Sequence, residues 1–186
     1  MKIVLGIVGQ PAAGKGTIAA YLKSSYGAES YRFSDPLSAT AAALSLPLTR
    51  DTMIRLSESL RAAFGQDLLS KAVAARAEAS TADLVVVDGV RREDDVAALK
   101  ALPGFKLVAV TAEVKARFVR AKQRAEKSDE ATLTFEQFQA LEQRSTEVTA
   151  RELEAKADFA VGNDGNLEDL EKEIDNLLGG LGVKKI

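Results

Sequence analysis

The chain has 186 residues, 25 basic against 27 acidic side chains for a net charge of −2, and 46% hydrophobic residues, the profile of one ordinary soluble domain with a substantial core. It contains no Cys and no His, which removes thiol nucleophiles, Ser-His-Asp and Cys-His catalysis, disulfides and imidazole or thiolate zinc sites. Near-zero charge with seven Phe, three Tyr and no Trp argues against a nucleic-acid platform, and no apolar run reaches the ~20 residues of a membrane span, so neither partner is expected and a cytoplasmic location is.

Runs rich in β-branched residues predict strands near 2–8, 30–33, 84–88, 106–111 and 158–162, separated by helical patterns. That alternation predicts an α/β three-layer sandwich with a five-stranded parallel sheet, in a single domain spanning 1–186. The first, third and fourth runs are apolar almost throughout, as expected of central strands covered on both faces, and the second and fifth belong nearer the edges. An insertion at about 36–80 follows the second strand, and its helical stretch breaks near Gly65-Gln66-Asp67, where Gly65 can end one helix and Asp67 cap the next. A second insertion, about 113–156, is charged and helical. In the final helix Leu167, Leu170, Ile174, Leu177 and Leu178 are expected to line one face before a Gly179-Gly180 stop.

The strongest signal is Gly9-Gln10-Pro11-Ala12-Ala13-Gly14-Lys15-Gly16-Thr17, directly after an apolar strand and at the opening of a helix. Such a loop curls its N–H groups toward phosphate oxygens, the helix N-terminus adds a favourable dipole, and Lys15 can reach the β and γ oxygens. Gly16 stands where Ser or Thr usually follows the lysine, so Thr17 is the expected hydroxyl ligand of Mg²⁺. This Gly-Lys-Gly-Thr variant resembles the phosphate loop of adenylate kinases and other nucleoside monophosphate kinases.

Carboxylates are expected at two strand ends. Asp88 ends Leu84-Val85-Val86-Val87-Asp88, the position of a Mg²⁺-holding aspartate, or alternatively caps the turn before Gly89. Asp35 ends the second strand before Pro36, where it can accept a hydrogen bond from an acceptor hydroxyl or simply start a helix. Basic residues follow. Arg117, Arg120, Arg124 and Lys127 fall on one helical face, where Glu113 can pair with Arg117 and the like charges of Arg120 and Arg124 repel unless a polyphosphate binds between them. Arg91 and Arg92 lie just beyond Asp88 and can hold an acceptor phosphate, with Arg55 and Arg61 as further candidates in the first insertion.

Taken together these residues resemble the nucleoside monophosphate kinase branch of the P-loop NTPase fold over nearly the whole chain. Within it the chain is similar to dephospho-CoA kinases and their uncharacterised archaeal relatives through Val86-Val87-Asp88-Gly89-Val90-Arg91, Ala157-Asp158-Phe159 and Asn163-Asp164-Gly165-Asn166-Leu167. Phe33-Ser34-Asp35-Pro36-Leu37 resembles the corresponding segment of phage-type deoxynucleoside monophosphate kinases. The resemblance implies ATP and Mg²⁺ as cofactors. It places Gly9, Ala12, Ala13, Gly14, Lys15, Gly16, Thr17, Arg120, Asn163 and Gly165 around the nucleotide, with Asn163 and Gly165 near the adenine. Asp35, Arg61 and Arg91 would face the acceptor, Thr17 and Asp88 the metal, and Lys15, Asp35, Arg120 and Arg124 would carry catalysis, with the two insertions as acceptor-binding and lid elements. The acceptor stays open between a nucleoside or deoxynucleoside monophosphate and dephospho-CoA. The competing reading is a nucleotide-hydrolysing switch, against which stand the absence of an Asn-Lys-x-Asp guanine motif and of a Glu after Asp88.

Overall fold

A computed structural model describes residues 2–124, 134–141 and 145–186. Among these, five strands, β1 (Ile3–Val8), β2 (Glu29–Arg32), β3 (Leu84–Asp88), β4 (Phe105–Thr111) and β5 (Phe159–Gly162), pair in parallel in the order β2-β3-β1-β4-β5. The apolar runs are thus central and the shorter ones form the edges. Helices α1 (Lys15–Tyr26), α2 (Asp35–Ala43), α3 (Arg50–Phe64), α4 (Leu68–Ala79), α5 (Glu93–Val96), α6 (Val114–Arg124), α7 (Phe135–Leu141), α8 (Ser145–Glu154) and α9 (Leu167–Gly180), with a 3-10 turn at Leu99–Ala101, complete the described elements. The loop expected around Ser128 to Thr134 falls almost wholly outside the described residues.

Strand side chains alternate between two cores because successive Cβ atoms point to opposite faces. Ile3, Leu5, Ile7, Val86 and Val110 meet Ile18 and Leu22 of α1 and Leu170, Ile174 and Leu178 of α9. Val4, Val8, Val85, Val87 and Leu107 meet Leu37 of α2, Leu69 and Val73 of α4 and Leu153 of α8. The result is helix, sheet, helix, with the carboxyl ends of β1, β3 and β4 opening onto one edge.

Two helix-terminus expectations need correction. Asp67 precedes α4 without a capping hydrogen bond; its carboxylate is drawn instead to Lys71, 2.9 Å away. Helix α9 runs through Gly179 and Gly180, since neither requires a left-handed backbone. Its stop is Gly182, at φ 75°, where Val183 N–H bonds Leu178 O at 2.9 Å and Gly182 N–H bonds Gly179 O at 3.1 Å, a Schellman closure. Leu167 begins this helix but stays 54% exposed, whereas Leu178 is fully buried.

Truncating these two leucines should therefore separate cleanly. Leu178→Ala is expected to cost about 2–5 kcal/mol in urea unfolding, and Leu167→Ala to stay within about 0.5 kcal/mol of wild type.

Candidate functional site

Parallel pairing of β1 with β3 sets Ile7 opposite Asp88, so the chain leaving β1 turns into its glycine-rich loop beside that carboxylate. Gly14 sits at φ 109°, and a Cβ there would lie 2.2 Å from Asn163 Nδ2, so no larger residue fits this corner. Ala12 also holds a positive φ of 59°, local strain of the kind that collects at ligand-binding turns. Helix α1 then begins with no side-chain cap and no acid in its first turn, which leaves its leading N–H groups for an anion.

The loop's carbonyls are held from outside. Lys15 Nζ donates to Gly9 O at 2.6 Å and Gln10 O at 3.0 Å, Arg117 donates to Pro11 O at 3.5 Å, and Asn163 Nδ2 donates to Ala13 O at 2.8 Å. A cleft of about 780 Å³ opens over the loop, lined by Lys15, Gly16, Thr17, Arg32, Arg120 and Gly165 among others. Arg120 reaches into it while donating to Asn163 O at 2.7 Å.

At the β3 end, Asp88 Oδ1 is buried with no hydrogen-bond partner, and Oδ2 lies 3.9 Å from Arg32 Nε. An unpartnered buried carboxylate oxygen costs free energy unless something positive reaches it. Among the described residues no group of three or more acidic side chains forms a metal cage. Asp88 with the Thr17 hydroxyl nevertheless suits Mg²⁺, which takes one or two protein groups and completes its shell with water and substrate phosphates.

The remaining expected residues are placed as follows. Asp35 is the first residue of α2; its Oδ2 accepts from Arg32 N–H at 2.8 Å and lies 3.7 Å from Arg76 Nη1. Arg91 is on the exposed turn after Asp88, its N–H donating to Asp95 at 3.0 Å. Arg61 is not a substrate-facing residue: it is 6% exposed and its guanidinium pairs with Asp95 at 2.6 Å, because α3 packs that face inward. Arg55, by contrast, is a surface residue paired with Asp51 one turn away. The expected basic face of α6 is divided as well, since Arg117 is buried and bonded to Ala112 O and Pro11 O. The side chain of Arg124 and all of Lys127 lie outside the described residues. Asn163 borders the cleft, and its amide Nδ2 donates to Ala13 O of the loop.

Two residues of the site escaped sequence reasoning. Arg32, whose signal was only its place at a strand end three residues before Asp35, lines the cleft and faces Asp88. Glu154, at the end of α8, accepts from Gln10 Nε2 at 3.4 Å. Burial pushes its carboxyl above the usual glutamate value, and the Gln10 donor with the charges of Lys15, Arg117 and Arg151 opposes that rise. Nothing in the sequence around Glu154 marked it, because its neighbours come from distant segments.

Comparison with known proteins places this geometry. An AAA domain family model matches residues 8–139. A UPF0200 protein of Methanoculleus marisnigri is 31% identical over 183 residues, 98% of either chain. The crystal structure of TT1252 from Thermus thermophilus superposes with a TM-score of 0.67 at 23% identity, covering 97% of this chain and 98% of that one. Shikimate kinase from Bacteroides thetaiotaomicron gives 0.61 at 12% identity, covering 95% and 98%. The two likenesses show a shared α/β fold.

Glu154 supplies a pH test. A carboxyl raised in the folded state favours folding below its unfolded value of 4.5 and loses that contribution as pH rises through the folded value. Glu154→Gln should therefore show a Tm at pH 8 equal to or above wild type, the two curves converging as pH falls below about 4.5. A lower Tm for the variant at pH 8 would mean that attraction to the surrounding cations outweighs burial.

Proposed function

The chain belongs to the AAA domain family and to the UPF0200 proteins, and on that premise we propose that it is an ATP-dependent kinase transferring the γ-phosphoryl group to a small nucleotide-like acceptor. The observation that carries this reading is the convergence, over one cleft, of the uncapped α1 N-terminus, Lys15 and Arg120, with the partnerless oxygen of Asp88 buried at the neighbouring strand end. Phosphoryl transfer needs little covalent help from protein; it needs cations and N–H groups around the equatorial oxygens.

In this reading the loop amides from Ala12 to Thr17 hold the β and γ phosphates, and Lys15 leaves the Gly9 and Gln10 carbonyls for a charged oxygen. Thr17 and Asp88 hold Mg²⁺, which when bound neutralises charge on the phosphates. Arg120 contributes from the lid side, Arg124 is assigned the same role from its sequence position, and Gly165 borders the adenine end. Asp35 serves the acceptor side by fixing the Arg32 backbone, while Arg91 and Arg92 take the acceptor's phosphate. The acceptor class is a nucleoside or deoxynucleoside monophosphate or dephospho-CoA.

A second reading is favoured by one observation. Glu154 places a carboxylate in the field of Lys15, where it can orient water for hydrolysis without an acceptor.

ATP consumption with Mg²⁺, measured alone and with ribo- and deoxynucleoside monophosphates and dephospho-CoA, distinguishes the two, with products identified by mass. One acceptor is expected to stimulate turnover strongly, and Lys15→Ala to lower the stimulated rate by about 10²–10³-fold or more with the fold retained. Acceptor-independent hydrolysis lost in Glu154→Gln would instead establish the second reading.

A further inference from the structure

Arg61 and Asp95 form an ion pair with side chains 6% and 4% exposed, at 2.6 Å. Burying two charges is costly, and packing alone could be served by apolar residues of similar volume. The arrangement around Asp95 shows what the charge does. One oxygen, Oδ2, accepts from two successive backbone N–H groups, Arg91 at 3.0 Å and Arg92 at 3.1 Å; the other, Oδ1, accepts from Arg61.

Further bonds hold the Asp95 main chain and its arginine partner. Ser70 of α4 donates to Asp95 O at 2.7 Å and accepts from Ala98 N at 3.0 Å. Arg61 also donates to Gln66 O in the turn between α3 and α4. The next residue after the arginines, Glu93, is paired with Lys156 just beyond α8. The segment that carries Arg91 and Arg92 away from Asp88 is thus fastened by one buried carboxylate, itself fastened to the acceptor-side insertion.

We propose that Asp95 is a positioning residue for the acceptor site: by binding the Arg91 and Arg92 amides it aims their side chains at the acceptor's phosphate, and Arg61 ties that aim to the placement of α3. The proposal rests on the kinase reading for the role of the two arginines. Its consequence is that the acceptor must carry an anionic group, since a neutral hydroxyl compound would gain nothing from a fastened arginine pair.

Removing Asp95 alone strands a buried guanidinium, so Asp95→Ala is paired with the double variant Arg61→Met/Asp95→Ala, which removes both charges. In the double variant the acceptor KM, measured with the monophosphate that best stimulates wild type, should rise at least tenfold while the ATP KM stays within twofold. Asp95→Asn, whose carbonyl can still accept from both amides, should recover most of the loss. A folded double variant with wild-type acceptor KM would overturn the proposal and leave the kinase reading standing.

A second arm needs no turnover. Inorganic phosphate titrated into ADP-loaded protein should shift the Arg91 and Arg92 amide resonances saturably in wild type, with at least a tenfold weaker Kd in the double variant. If no acceptor stimulates wild type, the kinase reading fails and this arm decides alone: absence of the shift in wild type, or equal Kd values, overturns the positioning role.

Discussion

The site depends on a helix that starts without a cap. Gly14 offers no side-chain oxygen and the first turn of α1 carries no acid, so no side chain of the protein caps the end that borders the cleft. A loop can present amides inward only if its carbonyls turn outward and find donors there. Lys15, Arg117 and Asn163 are those donors, for Gly9, Gln10, Pro11 and Ala13. Lys15 belongs to the loop itself, while Arg117 comes from α6 and Asn163 follows β5, so the shape of a nine-residue loop is set in part by two distant parts of the chain.

The same principle explains where the fold tolerates buried polarity. Gln10, Arg61, Ser70, Asp95, Arg117 and Asn163 are the buried polar residues among those described. Three of them, Asp95, Arg117 and Asn163, bond backbone groups of the phosphate loop or of the turn after β3, Arg61 pairs with Asp95, Ser70 bonds the Asp95 carbonyl, and Gln10 carries the bond to Glu154. Desolvating such groups costs free energy wherever they lie. Here they are concentrated at the carboxyl edge of the sheet, and the rest of both cores is apolar.

That division also explains what could be read from the sequence. Strand periodicity, the loop and Asp88 are local signals: each is written in consecutive residues, and β3 appears where its pattern placed it. Strand ends shifted by a residue at β1, β2, β4 and β5, because the apolar pattern marks a strand's middle more sharply than its ends. Arg61 looked like any arginine on an amphipathic helix, and only tertiary packing, which brings Asp95 from 34 residues away, reveals it as buried. Glu154 was silent for the same reason, its partner Gln10 being 144 residues distant. The final helix misled in a different way, since two adjacent glycines look like a stop, yet it is Gly182 that adopts the left-handed turn.

Helix α6 shows how one element can support the loop and also answer a ligand. Arg117 and Arg120 are three residues apart and so near neighbours on its surface, but their bonds differ in what could replace them. Arg117 is 6% exposed and holds Ala112 O and Pro11 O beneath the helix surface. Arg120 holds the neutral carbonyl of Asn163 from within the cleft. A phosphate arriving there offers a charged acceptor, and charge-assisted bonds are roughly twice as strong as neutral ones. Arg120 therefore has reason to exchange its partner while Arg117 keeps the loop in shape. An exchange at Arg120 frees the Asn163 carbonyl without disturbing the Asn163 amide on Ala13, so the backbone cradle is preserved as the cation moves onto the anion.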